Sequence, residues 1–150
     1  MLIVEDDPDT LLILRVNLES AGFDTTLAAD GDTALRRIDI DPPDAVLLDL
    51  MLPIVDGWDV LAELTSREGA PPVVVCSARH GDRDIERAKR LGAVDFLVKP
   101  FNLDRLVSSL EEATGLVHDH GAQRVPEAAL EDVGPGGFGV DALGVEGPSL

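Results

Sequence analysis

Four short apolar runs in this chain each end in a polar side chain, and that repetition constrains the fold more than any other feature. Met1-Leu2-Ile3-Val4 leads into Glu5-Asp6-Asp7, and Ala45-Val46-Leu47-Leu48 into Asp49. Val73-Val74-Val75-Cys76 leads into Ser77, and Phe96-Leu97-Val98 into Lys99. Wholly apolar runs of this length read as strands covered on both faces, as in a parallel sheet. Polar residues at their last positions fall at the carboxyl edge of the sheet, where open α/β folds bind ligands. Carboxylates, a hydroxyl and an amine delivered to one edge predict a single shared site.

The segments between these runs read as helices. Pro8 suits a first helical turn, Leu11, Leu14 and Leu18 share one face, and Gly22 ends that helix near Ala21. A more alternating strand over 24–28 is expected at a sheet edge. Asp30-Gly31 is expected to turn, with a second helix from Asp32 to Ile40 before Pro42-Pro43. Asp56-Gly57 is expected to close a loop before a third helix from Trp58 to Arg67. A short polar helix over 82–91 stops at Gly92, and a last helix starts near Leu103 with Asn102 as its cap. Strands alternating with helices give right-handed βαβ units. The expected fold is α/β: a doubly wound five-stranded parallel sheet, strand order 2-1-3-4-5, with helices on both faces. That order sets the first and third strands side by side, so Glu5, Asp6 and Asp49 converge.

Composition changes near Val117. Residues 118–150 hold seven glycines, three prolines, six acidic residues and one arginine, and are expected to form a disordered acidic tail beyond a domain at 1–117. No helix-turn-helix, winged-helix or catalytic module is expected to fit in those residues. The net charge of −17 makes nucleic acid a poor partner, since phosphate backbones call for a basic footprint. The lone cysteine, Cys76, sits in an apolar strand and reads as a packing residue. No run is long enough to cross a bilayer and the start lacks a signal peptide's basic region, so a cytoplasmic setting is expected.

Three clustered carboxylates repel one another unless a cation joins them. Oxygen donors alone favour a hard cation, and Mg²⁺ characteristically takes one or two carboxylates with waters and phosphate oxygens. The cluster thus reads as a Mg²⁺ seat beside an acceptor, in which Asp49 attacks a phosphoryl group, Lys99 pairs with its oxygens and Ser77 hydrogen-bonds to it. The plainer alternative is a buried salt bridge of Lys99 with Asp6 or Asp49, which leaves three acids for one amine.

Residues 1–117 resemble a receiver domain of the two-component response regulator family. The resemblance rests on Val4-Glu5-Asp6-Asp7-Pro8, Leu47-Leu48-Asp49-Leu50-Met51-Leu52-Pro53, Asp56-Gly57, Cys76-Ser77-Ala78 and Lys99-Pro100-Phe101, and on spacings of 28 residues from Asp49 to Ser77 and 22 from Ser77 to Lys99. It implies a flavodoxin-like fold with Asp49 as phosphoacceptor. It implies Mg²⁺ bound by Asp6 directly, by Glu5 through water, by Asp49, and by the backbone carbonyl of Met51. It further implies Ser77 and Phe96 as the pair that switch together, and Lys99, before a cis Pro100, as the phosphate-pairing lysine. The implied donor is a phosphohistidine on a histidine kinase or histidine phosphotransfer protein. The implied output is a protein target on the face made by the fourth helix, fifth strand and fifth helix. Such a chain is a switch rather than a turnover enzyme, although it assists its own phosphoryl transfer and slow dephosphorylation.

Two alternatives bear on that reading. A haloacid-dehalogenase-like phosphatase also uses a strand-end Asp, Mg²⁺ and a lysine, but needs a second acid two residues on, where this chain has Met51. A pseudo-receiver would serve only as a binding module, yet every acceptor-site residue is present. The fifth helix reads Leu106-Val107-Ser108-Ser109-Leu110, without the arginine that winged-helix regulators use there in a charged dimer. Met51 and Arg79 flank the acceptor, and Met51 cannot orient a water, which predicts a slowly hydrolysed phosphoform. Arg79, Arg83, Arg87, Lys89 and Arg90 form a basic stripe, expected to be a solvated face because Asp82, Asp84 and Glu86 interleave; masking by the acidic tail is the sharper alternative. Trp58, the only tryptophan, is expected in the loop after Asp49, either as a reporter of Mg²⁺ binding or as core packing.

Overall fold

In a computed structural model, the structure describes residues 1–78 and 81–115. The expectations for the tail at 118–150 and for Arg79 lie outside these residues. The chain order is β1 (Leu2–Val4), α1 (Pro8–Ser20), β2 (Thr26–Ala28), α2 (Gly31–Ile40), β3 (Val46–Asp49), α3 (Gly57–Ser66), β4 (Val73–Ser77), α4 (Asp82–Arg90), β5 (Asp95–Val98) and α5 (Leu103–Thr114). All pairings are parallel, in the order β2-β1-β3-β4-β5, as the sequence predicts.

Alternate residues of each strand supply two separate cores. Ile3, Leu47, Val74, Cys76 and Leu97 point to one face, which α1 covers with Ile13, Leu14 and Leu18 and α5 with Leu106, Val107 and Leu110. Leu2, Val4, Val46, Leu48, Val73, Val75 and Phe96 point to the other, covered by α2, α3 and α4 through Ala34, Ile38, Trp58, Leu61, Leu64 and Ala88. Each fully buried leucine contributes about 2 kcal/mol of transfer free energy, so the strands are fixed by burial on both sides. Among the described residues no helix is long and apolar enough to cross a membrane.

Helix starts account for most differences from expectation. Asp30 and Asp56 were expected in turns; instead each caps a helix through its carboxylate, accepting from the Thr33 N–H at 2.8 Å and the Trp58 N–H at 2.9 Å. Gly31 and Gly57 are consequently the first helical residues. An Asp-Gly pair suits a turn and a helix start equally well. Trp58 stands in the first turn of α3, as the helix expected over 58–67 requires, and not in the preceding loop. The edge strand β2 is shorter than expected because only Thr26–Ala28 pair with β1. The first helix ends as predicted: Phe23 N–H bonds the Leu18 carbonyl and Gly22 N–H that of Glu19, with Gly22 at φ 101°.

Candidate functional site

The carboxyl edge gathers most of the polar residues that the sequence singles out. Asp49 ends β3 and is only 4 % exposed, and Glu5, just past β1, is 3 % exposed. Asp6 turns to solvent. Oxygen atoms of Glu5, Asp6 and Asp49 nonetheless lie within 4.8 Å of one another, a grouping that could hold a metal ion. Lys99 follows β5, after which the Lys99–Pro100 bond is cis. Its Nζ donates to Glu5 Oε1 at 2.7 Å and to Asp49 Oδ2 at 3.1 Å. The amine therefore pairs with Glu5 and Asp49; the alternative pairing with Asp6 is not what forms, because Asp6 leaves β1 on the outward side.

The remaining carboxylate oxygens are held by backbone. Asp7 N–H donates to Glu5 Oε2 at 3.2 Å, and Met51 N–H donates to Asp49 Oδ1 at 3.0 Å. Burial pushes the Glu5 carboxyl up to about 7; the Asp49 charge adds to this while the Lys99 charge opposes it. Burial acts against the charge on Lys99, but the Asp49 and Glu5 carboxylates outweigh it and hold the amine above the usual lysine range. One ammonium thus faces three acids. That excess of hard oxygen donors at a buried edge fits a small divalent cation such as Mg²⁺.

Ser77 ends β4 fully buried, and its carbonyl accepts from the Lys99 N–H at 2.9 Å. Phe96 is buried in β5, in the core shared by α2, α3 and α4. Met51 contributes its N–H to Asp49, while its side chain is 53 % exposed. Burial raises the Cys76 thiol, consistent with a packing residue.

The loop after Asp49 holds two features that the sequence did not disclose. Gly57 lies against the backbone of Leu50, the residue after Asp49: a Cβ there would stand 2.4 Å from the Leu50 Cα. Ile54 sits at φ 67° and is 92 % exposed, and the Val55 N–H reaches back to the Pro53 carbonyl at 2.7 Å. This is a γ-turn at positive φ, a strained conformation that a β-branched side chain disfavours further. Ile54→Gly is expected to raise stability by about 1 kcal/mol despite the added freedom of the unfolded chain. A lower urea midpoint for that variant would show the turn is not strained.

The profile of the response regulator receiver domain matches residues 1–111. The transcriptional regulatory protein PrrA of Mycobacterium leprae is 37 % identical over 135 residues, which are 90 % of this chain and 57 % of PrrA. The transcriptional regulatory protein KdpE of Mycobacterium tuberculosis is 41 % identical over 113 residues, 75 % of this chain and 50 % of KdpE. The chain thus spans about half the length of these curated relatives. Among solved structures, the Francisella response regulator 1452 receiver domain superposes with a TM-score of 0.73 at 30 % identity, covering 76 % of this chain and 94 % of that one. The BeF3-activated N-terminal receiver domain of Klebsiella pneumoniae RstA gives 0.72 at 28 % identity, covering 77 % and 97 %.

Proposed function

The chain belongs to the response regulator receiver domain family, and from that premise we propose that Asp49 is its phosphoacceptor and that phosphorylation sets its binding state. The carrying observation is the buried Asp49 at the end of β3, bridged to Glu5 by the Lys99 ammonium within a three-carboxylate cluster. The donor is a phosphohistidine of a histidine kinase or phosphotransfer protein. Asp49 attacks phosphorus, the bond from phosphorus to the imidazole nitrogen breaks, and the histidine ring departs with that electron pair. Asp6, Asp49, Glu5 and the Met51 carbonyl would hold Mg²⁺, which when bound would supply charge neutralisation at the phosphoryl group. Lys99 lets go of the Asp49 oxygen and pairs with a phosphoryl oxygen. Ser77 donates its hydroxyl to another.

Phosphorylation adds about −1.5 to −2 charge at a buried edge. Ser77 is drawn toward it and Phe96 turns into the vacated space. This biases the face formed by α4, β5 and α5 toward a state that binds a protein target. Making a rare state dominant takes roughly 5 kcal/mol of differential interaction. Asp95 on this face is already engaged within its own chain, accepting from Ser109 Oγ at 2.7 Å and pairing with Arg105 at 3.4 Å. That supports a heterologous target over a dimer held by charges here. Residue 51 also argues against phosphatase turnover, because methionine cannot protonate a leaving group.

Incubation with acetyl phosphate and Mg²⁺, followed by intact mass, tests this. One lasting added phosphoryl group is expected, and none with Asp49→Asn. Release of inorganic phosphate over many turnovers would instead support a phosphatase, and no reaction a pure binding module.

A further inference from the structure

α4 has the fewest buried residues of the five helices: Ala88 alone, helped by the partly buried Ile85 and the flanking Leu91. Its N-cap, Gly81, offers no side-chain hydrogen bond to the first turn. Its other end is tied to α3, where Thr65 Oγ1 donates to the Leu91 carbonyl at 2.6 Å. Between the two ends lies one further attachment to α3. The Arg87 guanidinium covers the Trp58 ring, its Cζ 4.2 Å from the ring centre, well within the range of a cation–π attraction.

Trp58 is also one end of a short path to the acceptor. Asp56 holds its N–H, Gly57 before it rests on the Leu50 backbone, and Leu50 follows Asp49. Two other members of the basic stripe have a local explanation. Lys89 and Arg90 stand with Arg87 in the last turn of α4, and Asp82 and Asp84 in its first, which is the distribution that the helix dipole favours. Among the described residues of the stripe, Arg87 alone has an aromatic partner.

We propose that the Arg87–Trp58 stack is a latch holding α4 in its resting position and that phosphorylation of Asp49 releases it; this rests on the reading of Asp49 as phosphoacceptor. Movement of Ser77, the last residue of β4, toward the phosphoryl group displaces α4 at its N-terminal end, where Gly81 offers no side-chain cap. The helix pivots about the Thr65–Leu91 tether, and Arg87, four residues before that tether, slides off the ring. A cation–π contact needs the cation over the ring face, so a displacement of a few ångströms removes it.

The test uses the full chain and two substitutions at the exposed Arg87. Arg87→Met keeps an apolar stem but no charge, and Arg87→Lys keeps the charge but not the planar stack. Circular dichroism confirms that both fold. Phosphorylation by acetyl phosphate with Mg²⁺ is expected to be about five-fold faster for Arg87→Met, the size of effect a partly exposed cation–π contact supports, and intermediate for Arg87→Lys. The emission of Trp58, the chain's only tryptophan, should change on phosphorylation of the unsubstituted protein. In Arg87→Met it should start from the altered value and change little. Equal phosphorylation rates, or the same emission response in both proteins, would overturn the latch. A merely structural stack would lower stability without altering either readout. If intact mass shows that the unsubstituted protein gains no phosphoryl group, the phosphoacceptor reading falls and the latch with it. If it gains one and Arg87→Met behaves identically, the latch alone falls.

Discussion

Lys99→Met is expected to cost about 3 kcal/mol of folding stability at pH 7.5 without divalent metal, and far less at pH 5. The ammonium is the cation that bridges the buried Glu5 and Asp49 carboxylates, at 2.7 Å and 3.1 Å. Removing it leaves the buried Glu5 and Asp49 carboxyls side by side with no cation between them. The sign of the pH dependence follows from Glu5, whose carboxyl sits near 7 in the fold against an ordinary 4.5. The folded chain holds that proton more tightly than the unfolded chain does. The stability this confers is complete below about pH 4.5 and is lost as pH climbs through 7. Without Lys99 the loss deepens, because the amine's opposing charge is gone. Urea unfolding at the two pH values measures it, and Mg²⁺ should restore part of the deficit at pH 7.5 by replacing the missing cation. Adding Glu5→Gln should remove most of the pH dependence. An equal deficit at pH 5 and pH 7.5 would mean that Lys99 acts by packing alone.

Gly57→Ala is the second large effect expected, again about 3 kcal/mol and with slower phosphoryl transfer. The added methyl would stand 2.4 Å from the Leu50 Cα and 2.4 Å from its carbonyl oxygen. Backbone on both sides cannot yield as a flexible side chain would. α3 or the loop after Asp49 must move, and the Met51 N–H that holds Asp49 Oδ1 moves with it. Gly69→Ala provides the contrast: Gly69, unlike Gly57, has a positive φ, 70°, but open space around it, so a backbone penalty of about 1 kcal/mol applies without any clash. Comparable losses in the two variants would show that the close approach to Leu50 carries no special weight.

Burial on both faces made the sheet legible. Strands such as Val46–Asp49 and Val73–Ser77 contain no alternation to misread, and their polar last residues declared which edge would carry chemistry. The convergence of Glu5, Asp6 and Asp49 followed from strand order. Which of two adjacent acids turns inward did not, because that depends on how the chain leaves β1. Glu5 takes the amine and Asp6 meets solvent. Asp-Gly pairs misled for a related reason. The roles of Gly31 and Gly57 as first helical residues depend on what packs beside them, the Val60 side chain for one and the Leu50 backbone for the other. The Ile54 turn and the Arg87–Trp58 stack were illegible in the same way, the first because its residue type argues against the conformation, the second because its partners belong to different helices.

The chain's one thiol, Cys76, is sealed between layers with its ionisation suppressed by burial. Since the thiolate is the reactive form, electrophiles in solution find no target on the folded protein. A cysteine introduced on the outer side of α4 would be the sole position a maleimide dye labels, without first removing any native residue. The proposed movement of α4 can therefore be followed by site-specific probes on an otherwise unaltered sequence.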